Sequence, residues 1–584
     1  MSSQKQKKQK IAEPEQLEEA QGRSRTGLIV CLVLLVLAAA IPYMFSLGGE
    51  LMMDDKDLIC TDKTAHSLLN IPKAFTLHFF GSSMKSNYYR PIVTVSYIIN
   101  YAMSGQSPTA YRITNLLFHI IAVLLVFVLG RRLMKNTRAA LLAGLIFAVH
   151  PAHTESVAWI AGRTDILAAI FALSALIAYD KYLAGGNRRW YIAAAVLFLT
   201  GLLSKEVVIV VPLMMFVLDS FFRKRSGRSA VVRVIPFLAI AAAYFVVRRL
   251  VLGHVIIMGM NTDLPLWYRI CIAPTAMMWY LKILFVPQIA QPLHDFIQYT
   301  FASFALVAAG WAVIAGLLIY ALSGKRRSGI VSFCIIWMIL ALLPVSNIIR
   351  LPWPFLCERF LYLPSVGFSF LFGLLFSRIL SVRPKPLADV WPLLSAASVA
   401  GVLLYCALQT YGGAPLWSNN RALVTRMLQL GPRFGIIHLY AGDTYSEAGD
   451  FKRAASEYES VIKNDRKDEA SRAKLAVAYS RLGDFRSESR VLKELLKLRP
   501  NDAVAYNDLG IALASMKDYT AAVKSFRKAV QLKPNNARIR FNLARALARN
   551  KDTKEALLEY ENGLKINPKN KKARKEFELL KGRQ

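Results

Sequence analysis

Eleven apolar runs of membrane-spanning length constrain this chain more than anything else in it. They fall near 27–47, 113–133, 139–158, 164–183, 190–204, 207–222, 231–250, 302–322, 329–348, 360–380 and 389–411. Backbone inside hydrocarbon has to satisfy its own hydrogen bonds, so each run is read as a helix. Composition agrees, since 55% of the 584 residues are hydrophobic and 19% charged, the balance of a polytopic membrane protein. The polar start, residues 1–26, leads into the first run without a cleavage site and reads as a cytoplasmic tail on an uncleaved anchor. The fold expected is all-α: a membrane helical bundle over 27–411, then an extracytoplasmic helical solenoid.

Charge sets the orientation. The loops RRLMKNTR, GGNRR, RKRSGRSAVVR and GKRRSG follow the second, fourth, sixth and eighth runs, so all lie on one side, the cytoplasm, and the chain after 411 lies outside. Arg248 and Arg249 offend this rule. A further apolar stretch at 267–287 would throw GKRRSG outside if it crossed, so a re-entrant or surface helix pair interrupted near Pro274 is expected. The formal charge of +35 is accounted for by these loops, and nucleic acid is not expected as a partner. Cysteines at 31, 60, 271, 334, 357 and 406 form no CxxC and no regular spacing, so neither a disulfide framework nor a zinc motif follows, and no cofactor is expected.

From 435 to 570 the chain repeats every 34 residues, in windows starting at 435, 469, 503 and 537. Gly442, Ala476, Gly510 and Ala544 share the tight helix-crossing position. Ala454, Ala522 and Ala556 recur in the second helix, where Glu488 is the exception. RPND, KPNN and NPKN close repeats, because proline stops a helix. The pattern resembles the tetratricopeptide repeat, a helix-turn-helix unit whose arrays form a groove for peptides. Residues 412–434 read as a half-repeat junction and 571–584 as a polar capping helix.

Costly polar residues gather in the turns opposite the basic loops. MMDDKDLI (Asp54, Asp55) follows the first run and YYRP (Arg90) precedes the second. HPAHTES (His150, His153, Glu155) and GRTD (Arg163, Asp165) join the third and fourth, SKE (Lys205, Glu206) the fifth and sixth, and CERFLYLP (Glu358, Arg359) the ninth and tenth. Each alone reads as a polar turn. Together, carboxylates facing cations at the mouth of a bundle suit a reaction in which an acidic base activates a hydroxyl and cations hold an anionic leaving group.

A long first outer loop with an acidic pair, eleven spans and an outer site resemble the GT-C class of membrane glycosyltransferases. YRPIVTVSY, HPAHTESVAWIAGRTDILAA, LSKE and ERFLYLPSVGF, followed by the repeats, are similar to the transmembrane and tetratricopeptide-repeat O-mannosyltransferases of animals. The resemblance implies transfer of a sugar, mannose in that family, from a polyprenyl-phosphate donor to a Ser or Thr hydroxyl of a protein acceptor held by the repeats, in an inner or endoplasmic reticulum membrane. It implies Asp54 as base with Asp55 beside it, the order of the two left open. Arg163, Lys205 and Arg359 would neutralise the lipid phosphate, with Arg90 as a further candidate. Glu155, Asp165, Glu206 and Glu358 would orient those cations. His150 and His153 with Glu155 have a metal-like spacing but no fourth ligand, so no metal is assigned and a hydrogen bond to substrate or a helix-capping role stands instead. A transporter of lipid-linked sugar and a non-catalytic membrane-anchored scaffold are the rival readings.

Overall fold

The computed structural model describes residues 14–81, 86–222, 227–253, 265–288, 294–295, 304–323, 329–348, 355–431 and 434–582. Most of the basic turns GKRRSG and RKRS, and the first half of the polar tail, lie outside them. The chain divides into two compact units, Met1–Asn420 and Arg421–Gln584.

The first unit is built from apolar helices, as expected of a membrane bundle. Five segments are long and apolar enough to cross a membrane: Arg25–Ser46, Pro108–Met134, Ile160–Gly185, Gly227–Leu252 and Trp391–Ser418. Four shorter apolar helices, Thr137–Val149, Val307–Leu322, Gly329–Val345 and Ser365–Ile379, pack among them. Arg188–Leu202 and Val211–Val217 complete the series of apolar helices on either side of Lys205. In hydrocarbon, helices associate by close packing, which small residues permit. Gly373 shows this, since a Cβ there would lie 2.2 Å from the Ala139 carbonyl oxygen of the Thr137–Val149 helix.

One expectation is corrected. Residues 266–285 form a single helix, Leu266–Phe285, with Pro274 inside it, and not a pair interrupted at the proline. A proline in a helix removes one hydrogen bond and crowds the preceding turn, but a bundle tolerates it where a neighbour makes room. That neighbour is Gly310, where a Cβ would sit 2.8 Å from the Pro274 Cβ. The one extended pairing among the described residues is a two-residue antiparallel bridge, His294–Asp295 with Phe355–Leu356.

The second unit is a stack of helix pairs. First helices run Gly435–Glu447, Glu469–Leu482, Ala503–Ser515 and Ala537–Arg549, and second helices Phe451–Asn464, Phe485–Leu498, Tyr519–Leu532 and Thr553–Ile566. Asp468, Asp502, Asp518 and Asn536 cap helices by accepting from backbone N–H groups in the first turn. Gly510 faces the Phe526 ring at a distance that leaves no room for a Cβ. The alanines at the matching second-helix positions, Ala454, Ala522 and Ala556, are wholly buried. Lys571–Lys581 closes the stack, with Ala573 buried beside Tyr560 and Phe541.

Candidate active site at one end of the bundle

The polar turns come to one end of the bundle, where Arg359 meets Glu155 and Asp55 meets the Ala161 backbone. The helix Pro108–Met134 starts there with Arg112 and Asn115 and finishes at Arg131 and Arg132. At the far end Arg132 pairs with Asp180 at 2.6 Å and Arg233 with Asp219 at 2.6 Å.

Three ion pairs form the site. Arg359 Nη1 donates to Glu155 Oε1 at 2.6 Å, and the Arg359 backbone N–H donates to Glu155 Oε2 at 3.1 Å. Lys205 Nζ donates to Asp165 Oδ1 at 2.5 Å, both side chains 7% exposed. Arg90 Nη2 donates to Glu206 Oε1 at 3.0 Å. Aromatic faces hold the cations from behind: Trp159 and Phe360 lie 5.0 and 5.3 Å from Arg359, Phe360 5.0 Å from Lys205, and Tyr88 4.2 Å from Arg90. Arg90 keeps a donor beyond its own pair, Nε, without a partner among the described residues. Burial alone would raise the Glu206 carboxyl, but Arg90 and Arg248 together hold it down at about 2. Burial and the flanking guanidiniums lower the Lys205 amine, which Asp165 opposes. Glu358 is buried beside this cluster in sequence.

The two adjacent aspartates have different surroundings. Asp55 is fully buried, and both oxygens accept backbone N–H groups, Oδ2 from Met52 and Oδ1 from Ala161, each at 3.0 Å. Burial pushes its carboxyl up to about 7 against those bonds and Arg112. Asp55 therefore fastens the first loop to the turn before Arg163. Asp54 is partly exposed, and its carboxylate makes no hydrogen bond among the described residues. Burial raises its pKa, opposed by the nearby Arg359 and Arg90. It is the carboxylate of the pair left open beside the cations.

Arg163 is placed otherwise than expected. It is fully buried. Nε donates to Asn115 Oδ1 at 2.7 Å, Nη1 to the Ser96 hydroxyl at 3.1 Å and Nη2 to the Tyr111 carbonyl at 3.0 Å, with Tyr97 across its face at 4.7 Å. These donors are occupied by neutral acceptors inside the fold, so it clamps helices. The histidines are likewise internal. His150 Nδ1 accepts from Ala152 N–H and Nε2 lies 3.1 Å from the Leu284 carbonyl. His153 is shared between the Phe147 carbonyl and the Ser365 hydroxyl, both at 2.8 Å. Glu155 faces Arg359 and not the histidines, and no group able to hold a metal exists among the described residues.

Three residues of this end escaped the sequence reading. Arg112 reaches the carbonyls of Gly48, Glu50, Ala158 and Trp417, and Asn115 reaches the Trp159 carbonyl at 2.9 Å. Their signal was position: polar side chains at the end of an apolar run rarely lack partners. Arg248, which broke the charge rule, is 3% exposed, donates to the Asn87 carbonyl at 2.9 Å and acts on Glu206. Its exception to the rule was the signal.

Residues 90–252 match the family profile described as dolichyl-phosphate-mannose-protein mannosyltransferase. Residues 439–503, 474–537 and 513–575 match tetratricopeptide-repeat profiles. A protein O-mannosyl-transferase of Caenorhabditis elegans is 28% identical over 76% of this chain and 64% of its own length. The human protein O-mannosyl-transferase TMTC4 is 25% identical over 72% of this chain and 64% of its own. The chain thus spans less than two-thirds, 64%, of the length of these relatives. Among solved structures, that of MamA protein aligns with 28% of this chain and 85% of its own, at 22% identity and a TM-score of 0.25. A mannosyltransferase-type membrane segment followed by matching repeats makes the chain similar to the protein O-mannosyl-transferases named TMTC.

Proposed function

We propose that this chain is a membrane O-mannosyltransferase. It moves mannose from a polyprenyl-phosphate donor to a Ser or Thr hydroxyl of a protein acceptor at the extracytoplasmic face. The observation that carries this reading is the Asp54 carboxylate, without a hydrogen bond among the described residues, beside the Arg359 and Arg90 cations. In the reaction, the acceptor hydroxyl oxygen bonds to the anomeric carbon as the bond from that carbon to the phosphate oxygen breaks, with inversion. The hydroxyl proton passes to Asp54, and the electron pair leaves with the phosphate, whose charge Arg359 and Lys205 stabilise with Arg90 beside them. Glu155, Asp165 and Glu206 keep those cations in place, and Asp55 keeps Asp54 in place. Arg163, once a candidate for the phosphate, serves as a clamp. The names of the relatives and of the matching profile support mannose and a lipid-phosphate donor, and the repeats suit a polypeptide acceptor. The transmembrane domain, 27–411, carries this chemistry, and the repeats, 435–570, present the acceptor.

The test is Asp54→Asn in the full chain reconstituted in lipid, supplied with mannosyl polyprenyl phosphate and a Ser/Thr-rich acceptor. Transfer should fall by about 100-fold or more while membrane insertion is unchanged. Full transfer by the inserted variant refutes Asp54 as base. Donor crossing vesicles without acceptor modification would favour a transporter.

A further inference from the structure

Four buried polar atoms on one flank of the ionic cluster have no hydrogen-bond partner among the described residues: Nε of Arg90, Oε2 of Glu206, Nε of Arg248 and the hydroxyl of Tyr244. They belong to one locality. Arg90 holds the other oxygen of Glu206, and Arg248 is a second cation acting on that carboxylate. Tyr244 lies one turn before Arg248 on the same face of Gly227–Leu252, within the field of Glu206, Arg248 and Arg90. Tyr89 packs across Tyr244 with ring centres 6.3 Å apart, and the Asn87 carbonyl accepts from Arg248 Nη2. The segment leading to Arg90 thus covers this flank. Arg90, Arg248 and Tyr244 are 9%, 3% and 2% exposed, whereas the Glu206 side chain is 23% exposed.

Buried polar atoms without partners are costly and few in folded proteins, and several together point to a polar ligand. The set here is two N–H donors, one carboxylate oxygen and one hydroxyl that does either. A phosphate fits badly, because Glu206 would repel it. A metal ion fits badly, because two guanidiniums stand beside the one carboxylate of this set. Neighbouring hydroxyls of a hexose fit, since each donates one hydrogen bond and accepts others in the same small space. We propose that Glu206, Arg248 and Tyr244, with Arg90, form a subsite that holds the sugar ring of the donor by its hydroxyls, apart from the phosphate-facing Arg359 and Lys205. This subsite rests on the glycosyl-transfer reading above for the identity of the donor.

The test compares binding of mannosyl polyprenyl phosphate and bare polyprenyl phosphate to the full-length protein in lipid nanodiscs. The unaltered protein should bind the mannosylated lipid more tightly. Tyr244→Phe removes one hydroxyl and keeps the ring, so it should weaken the mannosylated lipid about three- to tenfold and leave the bare lipid unchanged. Arg248→Lys should act in the same direction. The subsite is overturned if the unaltered protein binds both lipids alike, or if Tyr244→Phe changes both equally or neither. Because the readout is binding, it separates the two proposals. Discrimination through Tyr244 without any sugar transfer sinks the enzyme alone, and transfer with Tyr244→Phe indifferent sinks the subsite alone.

Discussion

Asp54 and Asp55 are chemically identical neighbours to which the fold gives different tasks. Asp55 needs two acceptor oxygens, one for Met52 N–H and one for Ala161 N–H. Asparagine offers one oxygen and an amide that donates, so Asp55→Asn sets a donor against a backbone donor. The variant should lose about 1–3 kcal/mol of stability, seen as a lower thermal midpoint, whereas Asp54→Asn should melt as the unaltered protein does; equal midpoints for all three would refute the division. Since the Asp54 pKa lies above its ordinary 3.8, and the base acts when ionised, the transfer rate should fall on acidification at a pH above 3.8. A log rate flat to that pH would remove Asp54 from the reaction. Sequence left the order of the pair open because adjacent residues in a turn face different ways, and only the distant Ala161 tells them apart. It overvalued Arg163 for a similar reason. A buried arginine in a membrane run is legible as costly, but its partners Asn115, Ser96 and Tyr111 sit on other helices.

At the scale of elements, apolar length and the 34-residue period announced the helices of both units. Pro274 was misread because the glycine that makes room for it lies in a different helix. The repeats carry their own irregularity. Glu488 occupies the position where its counterparts are alanine, is 3% exposed, and has one oxygen without a partner among the described residues. Burial pushes its carboxyl up to about 7, with Ser480 opposing and Asp508 adding to the rise. The folded pKa is raised above that of the unfolded chain. Its contribution to stability is therefore fully present below about 4.5 and is lost as pH rises through about 7. The repeat unit should soften between about pH 4.5 and 7 by about 1–3 kcal/mol, and Glu488→Ala should abolish that slope. Urea midpoints of the repeat transition measured across this range check it; a slope that survives in Glu488→Ala would assign it to another group.

At the scale of the molecule, the charge rule gave an orientation from loops that have no part in the site, and the polar turns then gathered at the opposite end. In sealed vesicles with the cytoplasmic face outward, a single cysteine at Asn187 in a cysteine-free background should react with an impermeant maleimide at once. One at Leu69 should react only after permeabilisation, and immediate labelling of both would reverse the assignment. Convergence was legible because charge near hydrocarbon is rare. The pairing within it was not, because which carboxylate faces which cation depends on helix rotation. That pairing has a consequence for turnover. In the proposed reaction the phosphate leaves carrying more negative charge than it brought, and three uncompensated cations would grip the spent lipid hardest after its work was done. Glu155, Asp165 and Glu206 stand ready to reclaim their partners, so product escape becomes an exchange of anions and not the stripping of a bare cationic nest.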